Sequence, residues 1–211
     1  MKANMVKTEL GRQSFTWAGK PTSAAVGTII RITDVGSTAA GTEWKWDGTR
    51  WNPNGRQRIF SSVADIELLE ATSTSEQKAV GLLLPAGLIG AGYEIEATIL
   101  HACSANANNK VLRVRLGAAN DLTGTAFLVS STAGASTATA QNQCKIRTTS
   151  ASANAQIGHA SSVSSPFSSS TGAVVTSAVD MSAASYLVIS GQCAAGGVSH
   201  TIKAYTVDIW R

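Results

Sequence analysis

In the stretch Tyr93-Glu94-Ile95-Glu96-Ala97-Thr98-Ile99-Leu100-His101-Ala102, Tyr93, Ile95, Ala97, Ile99 and His101 take every second place. A period of two is that of a strand with one buried face. Working outward, Val80 to Leu84 is a short apolar run stopped by Pro85 and Gly87, and Leu112, Val114 and Leu116 alternate with Arg113 and Arg115. Further strand patterns fall at Ala126 to Ser130, Cys144 to Thr149, Ala155 to Ala160, Val174 to Val179, Tyr186 to Ser190 and His200 to Trp210. Strands every ~10–15 residues, parted by Gly, Asn and Ser turns and without helices between, predict an all-β antiparallel sandwich or jelly roll over residues 75–211.

The 211 residues are 44% apolar and only 14% charged. Low charge with ordinary hydrophobicity argues against disorder. The longest uncharged apolar stretch, Ala79 to Gly92, contains Pro85 and four glycines, and falls short of the roughly 20 residues that span a bilayer. The first ten residues carry lysines but no apolar run after them, so no secretory signal is expected. Residues 1–60 hold nine Lys/Arg and four Asp/Glu, net +5, whereas residues 61–211 hold eight and nine, net −1. These basic residues are scattered singly, so the N-terminal excess suits an acidic protein surface better than nucleic acid, and no nucleic-acid partner is expected.

Residues 1–26 have no sustained period and are expected to be a docking arm. Residues 27–58 form a Trp-rich module. There, Ile30 and Ile32 mark a short strand, and Glu43-Trp44-Lys45-Trp46-Asp47-Gly48-Thr49-Arg50-Trp51 is a hairpin signature, because a type I′ turn needs positive φ at both central residues. With Asp47-Gly48 as the loop, Trp46 faces Thr49 and Trp44 faces Trp51, which puts Trp44, Trp46 and Trp51 on one face. Three indoles together are a glycan platform, or a small core or subunit contact. Residues 59–74 read as a short helical neck. Ile59, Val63, Ile66 and Leu69 recur at helical spacing, and a helix this short would be stable only with partners, such as two more copies in a trimer.

Catalytic chemistry is not evident. His101, His159 and His200 sit in no catalytic or metal-binding motif, and no Gly-x-Ser-x-Gly elbow is present. His101 lies on the inward face of its strand, as a core histidine. Glu94 and Glu96 share a strand face as solvated positions, and Arg113 and Arg115 form an ordinary outward pair. Cys103, Cys144 and Cys193 are odd in number and lack CxxC spacing, so they are expected to be buried free thiols. No catalytic residue, metal site or cofactor is expected. Residues 121–200 hold four charged residues against 41 Ala, Ser or Thr. The runs Ser130 to Ala140 and Ser161 to Thr171 are expected to be loops, and the uncharged strand surface to be covered by other chains.

Gly27 to Gly55, with Ile32-Thr33-Asp34-Val35-Gly36 and Trp44 to Trp51 inside it, resembles the Gly/Trp hairpin module of tailed-bacteriophage fibre proteins. Leu84 to Cys103, Lys110 to Ala118, Ile146 to Ser161 and Val179 to Arg211 resemble the small jelly-roll domains of phage tail tips, head fibres and capsid decoration proteins. The resemblance implies a homotrimer in the virion. The N-terminal region would dock on another virion protein, with a jelly-roll head projecting outward, and no membrane insertion would be involved. The function so implied is a trimeric short tail fibre or receptor-binding subunit contacting the host surface, with a host surface glycan as a candidate partner. The alternatives are a capsid decoration protein or head fibre and, from another class, a carbohydrate-binding module.

Overall fold

The computed structural model describes residues 13–35, 41–63, 65–68, 74–104, 106–134, 138–149, 155–159, 174–193 and 199–211. Every regular element among them is a β-strand. The first sheet joins β1 (Ser14–Phe15), β2 (Ile29–Ile32), β3 (Thr42–Trp46) and β4 (Trp51–Pro53) in that order, with β1 parallel to β2 and the others antiparallel. Residues 13–26, taken from sequence as part of an arm, belong to this module: Phe15 pairs with Ile32 and Trp17 is buried. Residues 1–12 of that arm lie outside the described residues.

The hairpin forms in a different register from the two-residue turn. Trp46 pairs with Trp51, Lys45 with Asn52 and Trp44 with Pro53. The connection is therefore four residues, Asp47 to Arg50, closed by the Asp47 N–H donating to the Arg50 carbonyl at 3.1 Å. The cause is the Asp47 carboxylate. Its Oδ1 accepts from the Thr49 N–H and hydroxyl, both at 2.8 Å, and from the Arg50 N–H at 2.9 Å, so a longer loop is internally satisfied. Gly48 turns it at φ +108°.

The remaining strands are β5 (Gln57–Ser62), β6 (Ile66–Glu67), β7 (Gln77–Leu84), β8 (Glu94–Cys103), β9 (Asn106–Gly117), β10 (Thr125–Gly134), β11 (Ala138–Thr148), β12 (Gln156–His159), β13 (Val174–Ser177), β14 (Ser185–Cys193) and β15 (His200–Trp210). They make two antiparallel sheets, ordered β10-β9-β14-β7 and β13-β12-β11-β8-β15-β5, with β6 also on β15. Four pairs are nested in sequence: β5·β15 outermost, then β7·β14, β8·β11 and β9·β10. Ile95, Ala97 and Ile99 of β8 meet Leu112, Val114 and Leu116 of β9 and Leu187 and Ile189 of β14 in one core, all buried. Period two in the sequence is realised as this inward face.

Three expectations fail here. The helical neck is strand: β5 pairs with β15 through Phe60↔Val207 and Ser62↔Tyr205, and β6 follows through Ile66↔Ile202. Ile59 is buried, Ile66 half-buried and Val63 88% exposed in the break between strands, and Leu69 lies outside the described residues. A ladder along β15 satisfies this backbone, while an isolated helix of that length would not hold. Little greasy surface is left uncovered either. Among the described residues the exposed large apolar side chains are Val26, Val63, Leu83 and Val174. The predicted loop Ser130 to Ala140 is mostly strand, with β10 reaching Gly134 and β11 starting at Ala138. Ser161 to Thr171 falls outside the described residues.

Candidate functional site

The module packs on the sandwich through its indoles. Trp44, Trp46 and Trp51 share a face as the alternation predicts, but that face is turned inward and all three are buried. Trp17, which sequence patterning did not single out, stacks on Trp44 at 4.7 Å, and Trp46 meets Trp51 edge-on at 5.2 Å. The indole N–H groups of Trp44, Trp51 and Trp17 are satisfied: Trp44 donates to Thr42 Oγ1 at 2.8 Å, Trp51 to the Pro21 carbonyl at 2.8 Å and Trp17 to the Ala86 carbonyl at 2.9 Å. The last bond ties the module to the β7–β8 turn. The Tyr93 hydroxyl reaches Asn52 Oδ1 at 2.9 Å, and burial pushes its pKa up to about 12. An open stacking platform for a sugar is therefore not formed. A cleft of about 520 Å³ remains at the joint, lined by Trp17, Lys20, Trp46, Arg50, Trp51 and Met181 among others. Arg50 lies across Gly90, where an added Cβ would fall 1.9 Å from its Nη1, so only glycine admits the guanidinium there.

The carboxylates of β8 are held in ion pairs, Glu94 with Lys145 at 3.7 Å. Glu96 is 4% exposed rather than solvated, bonded by Arg56 and approached by Lys145 at 3.2 Å. Asp208 beside it takes Arg56 at 2.7 Å and Arg58 at 3.0 Å. Arg113 and Arg115 are likewise not free outward groups: both face Glu76, at 3.5 and 2.7 Å. Burial alone would raise the Glu76 carboxyl, but bonds from Arg115 and Ser190 and the charges of both arginines hold it below its ordinary value.

At the opposite end of β8 the chain assembles a group that sequence spacing concealed. Cys103 stands directly across the ladder from His200, and His101 lies two residues back on the same inward face. The three are buried, and their donor atoms all lie within 4.8 Å of one another. His200 Nε2 is 2.9 Å from His101 Nδ1, and Cys103 Sγ is 3.7 Å from that same nitrogen. His101 Nε2 is 2.8 Å from Asn142 Oδ1, while Asn142 Nδ2 donates to Ser130 Oγ at 3.1 Å. Asn142 thus accepts from the histidine, which leaves His101 Nδ1 unprotonated. Burial, with the charges of His101 and Lys110, pushes His200 down to about 3, and burial pushes the Cys103 thiol up to about 11. His101 is the buried histidine that the alternation predicts. The i, i+2 spacing of His101 and Cys103 was the available sequence signal, but His200 is 97 residues beyond Cys103. The side chain of His159 is outside the described residues. Burial also pushes Cys144 up to about 12, as suits an inert core thiol.

No family model matches the chain, so none supports the resemblance to phage fibre proteins, and no curated protein matches it. Among solved structures, a chain from infectious bursal disease virus Gt strain is similar at 9% identity and a TM-score of 0.34, over 92% of this chain and 42% of that one. This chain thus spans less than half the length of that neighbour, and no conclusion rests on the likeness.

Proposed function

We propose that the protein is a non-enzymatic structural subunit of a tailed-phage particle, a homotrimeric short tail fibre or receptor-binding protein with a jelly-roll head. The jelly roll is supported by the nested pairs β5·β15, β7·β14, β8·β11 and β9·β10, the pattern of one long hairpin wound into two facing sheets. The observation that carries the functional reading is the two-ended layout. The Trp module packs where β8 begins, beside Tyr93, while β9, β11 and β15 start where β8 ends, ten residues and roughly 30 Å away. One end can mount the protein and the other can meet a host surface. Trimerisation would multiply weak contacts through avidity. With few large apolar side chains exposed, the contacts between copies would be made of alanine, serine and threonine.

Electron microscopy of particles labelled on this protein tests the reading. Label at the tail is expected. Label on capsid symmetry axes would overturn attachment in favour of shell decoration, and label on no particle would remove the virion role.

A further inference from the structure

Of the polar groups buried between the sheets, the histidine–cysteine cluster is the one that ordinary core packing leaves incomplete. A satisfied core histidine has partners on both nitrogens, and His101 does. His200 does not. Because His101 Nδ1 is unprotonated, His200 Nε2 must donate to it, which leaves His200 Nδ1 buried with no hydrogen-bond partner in a residue of 0% exposure. That nitrogen stays unpartnered whether a proton or an ion occupies Nε2, so what points to a ligand is the convergence of three buried donors within 4.8 Å.

We infer that His101 Nδ1, His200 Nε2 and Cys103 Sγ form a binding site for one zinc-class divalent ion, clamping β8 to β15 at the end of the sheet away from the Trp module. The donor chemistry is that of zinc: two imidazoles and a thiolate. The spacing also fits. Around a tetrahedral ion with Zn–N of 2.0–2.1 Å and Zn–S of 2.3 Å, neighbouring donors stand about 3.3–3.6 Å apart. The 2.9 Å and 3.7 Å separations bracket that range and the whole set lies within 4.8 Å, so an ion enters as the shared proton passes to His200 Nδ1, with the histidine pair opening by a few tenths of an ångström and the Cys103 and His200 donors drawing together by about 1 Å. For His101 the supporting shell is already in place, since Asn142 holds its Nε2, aiming Nδ1 at the site, and is itself held by Ser130, whereas Nδ1 of His200 has no such partner. Binding releases the thiol proton of Cys103. Lys110 on the facing sheet, whose charge acts on both Cys103 and His200, favours that thiolate and by the same charge opposes the ion, so the thiolate is the ligand on which binding depends. The three donors leave one tetrahedral position for water.

The site is independent of where the protein sits in a particle, so it is tested on the purified full-length chain. Expression in zinc-supplemented medium should yield about one zinc per chain by elemental analysis. Refolding the chelator-stripped protein with Co2+ should produce a thiolate-to-cobalt charge-transfer band together with four-coordinate visible bands. Cys103→Ser should abolish the charge-transfer band, Cys144→Ser should leave it intact, and Asn142→Ala should weaken metal affinity about 10–100-fold. Zinc should also raise the Tm of the unaltered protein, a readout that holds if a variant fails to fold. Absence of bound zinc and of the cobalt band overturns the site, as does a charge-transfer band that survives Cys103→Ser or vanishes in Cys144→Ser.

Discussion

Trp44 illustrates how one side chain decides between two uses of the same chemistry. An indole on an outward strand face would offer a stacking surface. Here it is fully buried, stacked on Trp17 and hydrogen-bonded to Thr42. Trp44→Ala is therefore expected to cost about 3–5 kcal/mol in chemical denaturation, as a core truncation does, and to leave any glycan binding unmoved. Glu76 carries a different lesson, since it is the shared counter-charge of Arg113 and Arg115. Its carboxyl is held below its ordinary value, so its stabilisation is fully present above the unfolded-state pKa and is lost as pH falls through the lower folded-state value. Glu76→Gln should lose on the order of 2 kcal/mol at neutral pH. It should then show a shallower fall in Tm than the unaltered protein between neutral pH and pH 3.

At the scale of the element, the segment from Ile59 to Ile66 shows why spacing alone misled. Ile59, Val63 and Ile66 suit a helical stripe, yet β5 and β6 are two short strands with a break at Val63. A register shift between Val207 and Asp208 of β15 sits opposite β5, and Ile59 and Phe60 are both buried in succession, which erases the period of two. The two readings predict different mutant behaviour. In a three-chain neck, Val63 and Ile59 would matter alike. In the strand, Ile59→Ala should cost about 2–5 kcal/mol, whereas Val63→Asp should change stability by no more than about 0.5 kcal/mol, as thermal unfolding of both variants would show. The hairpin is the complementary case. Its existence and its shared indole face were legible, but its register was not, because the deciding feature is the Asp47 carboxylate capping Thr49 and Arg50 rather than the Asp-Gly pair.

For the whole molecule, the two-sheet head and the Trp module form one body through Trp17, Tyr93 and Arg211, whose Nη1 reaches Asn52 Oδ1 at 3.1 Å. Light scattering on the purified protein is expected to return three times 21.7 kDa, and a clean monomer at high concentration would remove the trimer and its avidity. With the described part of residues 59–74 free of helix, the proposed trimer would be held together by the two-sheet body. Val63→Asp should therefore leave the mass unchanged, and a trimer that dissociates in this variant would restore a role for the segment.

By itself the sequence determined the all-β class, the sites of most strands and the inward set on β8, because alternation is a local property that each strand writes for itself. It also determined that Trp44, Trp46 and Trp51 would share a face. Only the tertiary structure decided that this face is covered, that Ile59 and Ile66 lie in strands, and that His101, Cys103 and His200 meet. Each of these depends on a partner far along the chain: the β7–β8 turn and residues 17–21 over the indoles, β15 beside β5, and a ladder that sets Cys103 opposite His200. Pairing between distant strands is chosen by the total burial of the sheet, and no local spacing records it.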